Sequence, residues 1–387
     1  RVCNAELTVT GPGAVKEMNP YYSPILITGG PAGSENYSVV NVGIGVTLEG
    51  WAGVFIDQNK GNNSGIALNV NEATLNGVND VSGASGSAVY VNGTITNENN
   101  MPKITLNNAT LKATGAGMYL AGYADTTISG GSVEGTATAI EIRAGKLTLN
   151  GGSYAASAET YECDPNGNGA TTSGAALAIA QHTTKKNINV MISGGTFTGV
   201  NALSESNPQN NDPAPKVTLN ITDGTFNGNV TIEDKDHTSI TGGTYSSDPT
   251  AYVAEGYITL VNGDGTFTVS NTNEIPVTAE TVQDYLDGKY GSINGKTLVL
   301  GGGDYGKIEF GRATAYKGSN TKYYLGGTES NVNAIKQDIA GHPNGGAGKR
   351  EYVRSMSNVT LKAADGATVT INGLVAFGGQ VSSTKWY

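Results

Sequence analysis

Charge is scarce in this chain. Asp, Glu, Lys and Arg make up 14% of its 387 residues, and 23 Lys plus Arg stand against 33 acids, for a net charge of −10. So few cations cannot form the basic face that nucleic acid or an anionic lipid surface requires, and neither partner is expected. The only cysteines, Cys3 and Cys163, match no zinc or redox spacing. They are read either as a pair in an oxidising compartment or as two free thiols. No apolar run reaches the roughly 20 residues of a membrane-spanning helix, and no charged-then-apolar leader opens the chain, so membrane insertion is not expected. A phosphate-cradling loop is missing too, because the glycines at 301–303 lack a following Lys-Ser/Thr and open no helix.

Glycine is plentiful: 56 residues, about twice the ordinary share. With Asn, Thr and Ser crowding the rest, the composition predicts strands and turns in place of helices. One short phrase recurs: Thr-Leu-Asn-Asn-Ala-Thr-Leu at 105–111, Thr-Ile-Ser-Gly-Gly-Ser-Val at 127–133, Thr-Leu-Asn-Gly-Gly-Ser-Tyr at 148–154, Met-Ile-Ser-Gly-Gly-Thr-Phe at 191–197 and Ser-Ile-Thr-Gly-Gly-Thr-Tyr at 239–245. Further copies lie at 67–75 and 220–226. Each runs apolar, polar, small, small, Thr or Ser, apolar.

Leu106 to Ile128 is 22 residues, Ile128 to Leu149 is 21, and Leu149 to Ile192 is 43, read as two periods. A period of 21–22 is too short for a helix pair or a propeller blade, whose repeats run to roughly 34 residues or more. It suits one coil of an all-β solenoid: two or three short strands with apolar residues inward, and Gly-Gly or Asn-Gly at the corners. The Ile/Leu and the Phe/Tyr/Val/Leu of each phrase are expected to stack on their counterparts in adjacent coils, because one coil cannot bury its own apolar face. The polar stretches 155–175 and 201–216 break the period and are read as loops pushed out at corners.

The pattern divides the chain into a first array over 1–271 and a second over 272–387. The second opens on a short amphipathic helix near 279–288, with Val282, Tyr285 and Leu286 on one face and Thr278 as its cap. Such a helix suits the end of an open solenoid. The strands beyond it echo 39–57, and the chain is read as a piece of something longer.

The coil length, Gly-Gly corners and stacked Ile, Thr and Phe positions resemble the right-handed parallel β-helix of the pectate-lyase-like superfamily. The phrases SGGTFTG and SITGGTYSSDPTAYVAEGY are similar to repeats in large surface proteins of Gram-positive gut bacteria; the likeness covers about 36–387. It implies a secreted or surface-attached bacterial protein, and two functions follow. The first is a monomeric, non-catalytic adhesin that binds a host glycoprotein, such as an immunoglobulin or mucin, or a polysaccharide. The alternative is a polysaccharide lyase or glycoside hydrolase. A passive spacer is a third reading.

An enzyme would need converging carboxylates, one of them held protonated to act as acid. The Asp-Asp and Gly-His-Gly signatures of the polygalacturonase-like branch are missing, and a lyase base would have to come from few cations; Arg1, Arg143, Arg312, Arg350 and Arg354 are the only arginines. Glu233, Asp234, Asp236 and His237 form the densest polar cluster and are the residues to test for catalysis, with a solvated turn as the simpler reading. His182 and His342 stand alone in polar loops. The stretch 164–169 matches half of a calcium loop, but Ala175 stands where the bidentate Glu belongs. No catalytic residue, cofactor or metal is therefore assigned. Tyrosine is abundant, 19 against 2 Trp and 6 Phe. Tyr154 and Tyr245 belong to the expected core, whereas Tyr21, Tyr22, Tyr161, Tyr316, Tyr323 and Tyr324 lie outside the repeat and are candidates to face a ligand.

Overall fold

The computed structural model describes residues 1–30, 37–58, 65–78, 85–93, 98–164, 170–180, 186–206, 217–310, 359–372, 376–377, 380–382 and 385–386. Tyr316, Tyr323, Tyr324, His182, His342, Arg312, Arg350, Arg354 and most of the half calcium loop lie outside them. Two compact units emerge, Arg1–Ser247 and Asp248–Tyr387.

The first unit is all-β and overwhelmingly parallel. Its strands form three ladders, and the chain visits each in turn before returning to the first. The first ladder pairs Ala5–Val9, Ser38–Val42, Ile66–Asn71, Lys103–Asn107, Asp125–Ser129 and then the opening residues of Gly145–Ala156, Ile188–Ser206 and Val217–Ile232, ending at Thr238–Ile240. The second pairs Gly13–Lys16, Val46–Gly50, Thr74–Gly77, Thr110–Ala113 and Ser132–Gly135, continues through the middles of the three long strands, and ends at Thr244–Tyr245. The third pairs Ile25–Thr28, Ala52–Asp57, Ser87–Asn92, Ala116–Leu120, Thr138–Ile142 and Ala175–Ala180 with the ends of Ile188–Ser206 and Val217–Ile232.

The repeat phrase is the first and second strands of one such layer together with the corner between them. In the first ladder Val42, Val70, Leu106, Ile128, Leu149, Ile192, Ile221 and Ile240 lie in direct register, all buried. In the second the column runs Leu48, Leu75, Leu111, Val133, Tyr154, Phe197, Phe226, Tyr245. Its four rings stack with centroids 4.7–4.8 Å apart and planes within 16° of parallel. That distance is the strand spacing itself, so register alone places ring upon ring. The corner between the ladders needs left-handed backbone: Glu72, Asn108 and Gly130 follow in-register residues and all have positive φ. At Gly131 (φ +81°) an added Cβ would fall 2.1 Å from the Ala109 carbonyl oxygen, so the layers can approach there only without a side chain.

Layer length departs from expectation. The 22- and 21-residue steps at Leu106, Ile128 and Leu149 hold, but Leu149 pairs directly with Ile192, so the 43-residue step is one layer and not two. The extra length is a detour in which Glu162–Cys163 pairs antiparallel with Thr172–Ser173. The stretch 201–206, expected to loop out, is instead a third-ladder strand whose Leu203 faces Leu177 and Val230. Its polar letters Ser204, Glu205 and Ser206 hid a strand in which Ser204 Oγ meets the Tyr161 hydroxyl and Glu205 Oε2 accepts two backbone N–H groups.

The second unit has its own core. Parallel strands Glu274–Val277, Thr297–Leu300 and Thr360–Ala363 align Ile275, Leu298 and Leu361, beside an antiparallel pair Ile258–Val261 and Phe267–Ser270. The helix is shorter than expected, Val282–Leu286, and buries Val282, Tyr285 and Leu286 as its spacing required. Thr281, not Thr278, is the N-cap residue; its hydroxyl accepts the Thr278 N–H at 2.9 Å, and the Thr278 carbonyl accepts the Val282 N–H. The Tyr285 hydroxyl donates to Thr259 O at 3.0 Å and accepts from Val261 N at 2.9 Å, tying the helix to the hairpin.

Candidate functional site

The cluster nominated for catalysis is the turn 233–237 between Val217–Ile232 and Thr238–Ile240. Glu233 and Asp236 are exposed; Asp234 and His237 are half-buried and paired, with His237 Nδ1 2.8 Å from Asp234 Oδ1 and 2.9 Å from Oδ2. The Thr238 hydroxyl donates to Asp234 O at 2.8 Å, so these polar groups are spent on closing the turn. Beneath it lies Glu205, which sequence reasoning missed. Its Oε2 accepts the N–H groups of Glu233 and Asp234, each at 2.8 Å. Burial pushes its carboxyl up to about 7, the neighbouring Asp234 and Glu233 charges add to the rise, and the two backbone donors oppose it. At 2% exposure it is out of reach of a substrate. Aligning AALAIA at 175–180 with NALSES at 201–206 is the signal that would have revealed it, since Glu205 then falls opposite Ile179.

A different surface has the makings of a binding site. Along the third ladder, alternation sends Val54, Val89 and Met118 inward and their neighbours Phe55, Tyr90 and Tyr119 outward, in direct register. Trp51 joins them from the preceding corner. Its ring centroid lies 4.9 Å from Tyr90 and 6.1 Å from Phe55; Phe55 and Tyr90 are 5.3 Å apart, and Tyr90 and Tyr119 4.9 Å. The Trp51 N–H of the backbone donates to Tyr22 O at 2.9 Å, which places the exposed Tyr21 and Tyr22 (63% and 62%) next to this row. Trp51, Phe55 and Tyr90 are half-buried; the indole Nε1 is itself enclosed, with no acceptor among the described residues. The sequence carried this row in AGVFID, SAVYVN and AGMYLA, each with an aromatic fourth.

The row closes at Tyr119, which is buried beneath the Arg143 guanidinium, 5.4 Å from its ring centroid. Arg143 Nε donates to Glu141 Oε1 at 3.0 Å. Glu141, fully buried, also accepts the N–H groups of Thr171 and Thr172 at 2.9 and 3.1 Å and the Thr171 hydroxyl at 3.1 Å. This saturated pair pins the detour to the ladder, and Tyr161, another nominated tyrosine, fastens it again with its hydroxyl 2.7 Å from Ser204 Oγ. Tyr161 is thus a strut and not a free ligand contact. Arg1 is spent on Thr28, its Nε donating to Oγ1 at 3.0 Å. Cys3 and Cys163 are not joined: Cys3 Sγ lies 3.4 Å from Gly29 O, and Cys163 takes the Thr172 hydroxyl at 3.9 Å. Among the described residues no group of three or more His, Cys, Asp or Glu is placed to hold a metal ion. Comparison with protein-family models, with curated proteins and with solved structures returned no match.

Proposed function

We propose that the first unit is a right-handed parallel β-helix of the pectate-lyase-like kind, and that the chain works on the outside of a bacterial cell as a non-catalytic module that binds a glycan or a host glycoprotein. Three parallel ladders visited in rotation support the fold reading, and parallel crossovers within one sheet are right-handed in nearly all proteins. The observation that carries the functional reading is the outward row Trp51, Phe55 and Tyr90 with Tyr21 and Tyr22 beside it. Half-buried aromatic side chains in one row, with neighbouring ring centroids 4.9–5.3 Å apart, offer apolar area to the C–H faces of a saccharide.

The test is retention of plant, microbial and mucin glycans and of host mucosal glycoproteins, with new reducing or unsaturated ends scored in the same tubes. Tyr21→Ala, Tyr22→Ala and Trp51→Ala are each expected to weaken retention at least tenfold, while replacing Glu233, Asp234 and Asp236 by Ala leaves it unchanged. Retention indifferent to the aromatic changes would remove the proposed surface. Cleavage that vanishes in the acidic triple variant would make this chain a polysaccharide lyase or glycoside hydrolase.

A further inference from the structure

Glu205 sits where its column otherwise holds aliphatic side chains. The residues in register run Ile27, Ile56, Val91, Leu120, Ile142, Ile179, Glu205, Ile232. One carboxyl oxygen is committed to the two backbone N–H groups of the turn 233–237; the other, Oε1, is buried with no hydrogen-bond partner among the described residues. Glu233 and Asp234 face it from the turn, Asp234 being paired with His237, while Lys235 and Asp236 are exposed on the same turn. On the outer side of its strand are the Tyr161 hydroxyl, bonded to Ser204, and Cys163, near Tyr161. The layers on either side contribute Ile179 and Ile232.

A negative charge in this place has two donors, a second oxygen with none, aliphatic neighbours and two further acids opposite. Releasing the turn would admit water to the carboxylate and end all of those costs together. We propose that Glu205 is a proton-operated latch: the neutral acid keeps the turn 233–237 closed on the end of the third ladder, and its ionisation lets that turn open. Opening then releases a proton, so it must be favoured as pH rises. Because burial holds the carboxyl near 7, the change falls between the ordinary carboxylate range and neutrality.

Hydrogen exchange of the Glu233 and Asp234 amides in the full chain, corrected for intrinsic rates, measures the latch directly. Between pH 5.5 and 8 the wild-type opening constant is expected to rise at least tenfold. Glu205→Gln, which keeps the shape and cannot ionise, is expected to abolish that rise, and His237→Gln to retain it. A rise that persists in Glu205→Gln, or that disappears in His237→Gln, would overturn the proposal and transfer any pH response to the Asp234–His237 pair. Should Glu205→Gln fail to fold, Glu205→Ile, which continues the aliphatic column, takes its place with the same two outcomes. A carboxyl-carbon NMR titration gives an independent reading, and a Glu205 midpoint in the ordinary glutamate range would also overturn it.

Discussion

Three residues share one corner and differ in how well they suit it. Asn108 and Gly130 tolerate left-handed backbone, whereas Glu72, at φ 49°, bears a steric cost of about 1 kcal/mol that a short amide side chain reduces. Glu72→Asn is accordingly expected to raise the stability of the first unit by about 0.5 kcal/mol, read as a higher urea midpoint with an unchanged slope. Phe197 is the opposite case, fully buried between Tyr154 and Phe226. Phe197→Ala removes two stacked contacts and leaves a cavity, and should cost about 3–5 kcal/mol in the same experiment. Glu205 sets a sign. Its carboxyl is raised from 4.5 to about 7 in the folded chain, so between those values the unfolded chain gives up a proton that the folded one keeps. Its contribution is therefore fully present below about 4.5 and is lost as pH rises to about 7, a fall of about 3 kcal/mol. Thermal unfolding of wild type against Glu205→Gln at pH 5 and pH 8 should show it, and an equal pH response in both would refute it.

At the scale of elements, the first and second ladders were legible and the third was not. Alternation announces a strand with one wet face, and TLNGGSY has one; Ala116–Leu120, Thr138–Ile142 and Ala175–Ala180 are buried at every position, so their letters carry no period. Arg143 covers Tyr119 on the first of these, and the detour through Glu162–Cys163 and Thr172–Ser173 is held to the second, Thr138–Ile142, by Glu141 finding Arg143 and Thr171. No spacing in the chain reveals that pairing. Breaking it should be expensive: Arg143→Met leaves a buried carboxylate short of its cation and is expected to cost about 3–5 kcal/mol, whereas Glu141→Leu with Arg143→Met together should recover only part of that loss, because the Thr171 and Thr172 N–H groups then lack their acceptor. The pair of variants, followed by denaturant unfolding and by proteolysis within 157–174, separates a latched detour from one held only by the hairpin. The aromatic row was legible in principle, through three aligned segments, and the helix nearly so; only its length and cap differ, because Thr281 and not Thr278 turns the corner.

The whole chain comprises two units with separate hydrophobic cores, the second gathered around Ile275, Tyr285, Leu298 and Leu300. A low charge fraction, abundant glycine and one recurrent phrase were enough to announce an all-β chain built of parallel repeats. They could not give the layer lengths, since a 43-residue layer with an internal hairpin and two coils of 21 and 22 residues place the next phrase at the same distance. A β-dominated circular dichroism spectrum with little helical signal is expected, and much helix would contradict the fold.

In the first unit every ladder bond joins one layer to the next, so the direction of an applied force decides how those bonds fail. Tension that lifts Ala5–Val9 away from its neighbour would load the bonds to Ser38–Val42 one after another and peel a single layer. Tension along the strands would load a whole ladder in shear and meet far more resistance. Peeled in this way, the unit would lengthen in discrete steps while the layers behind stayed folded.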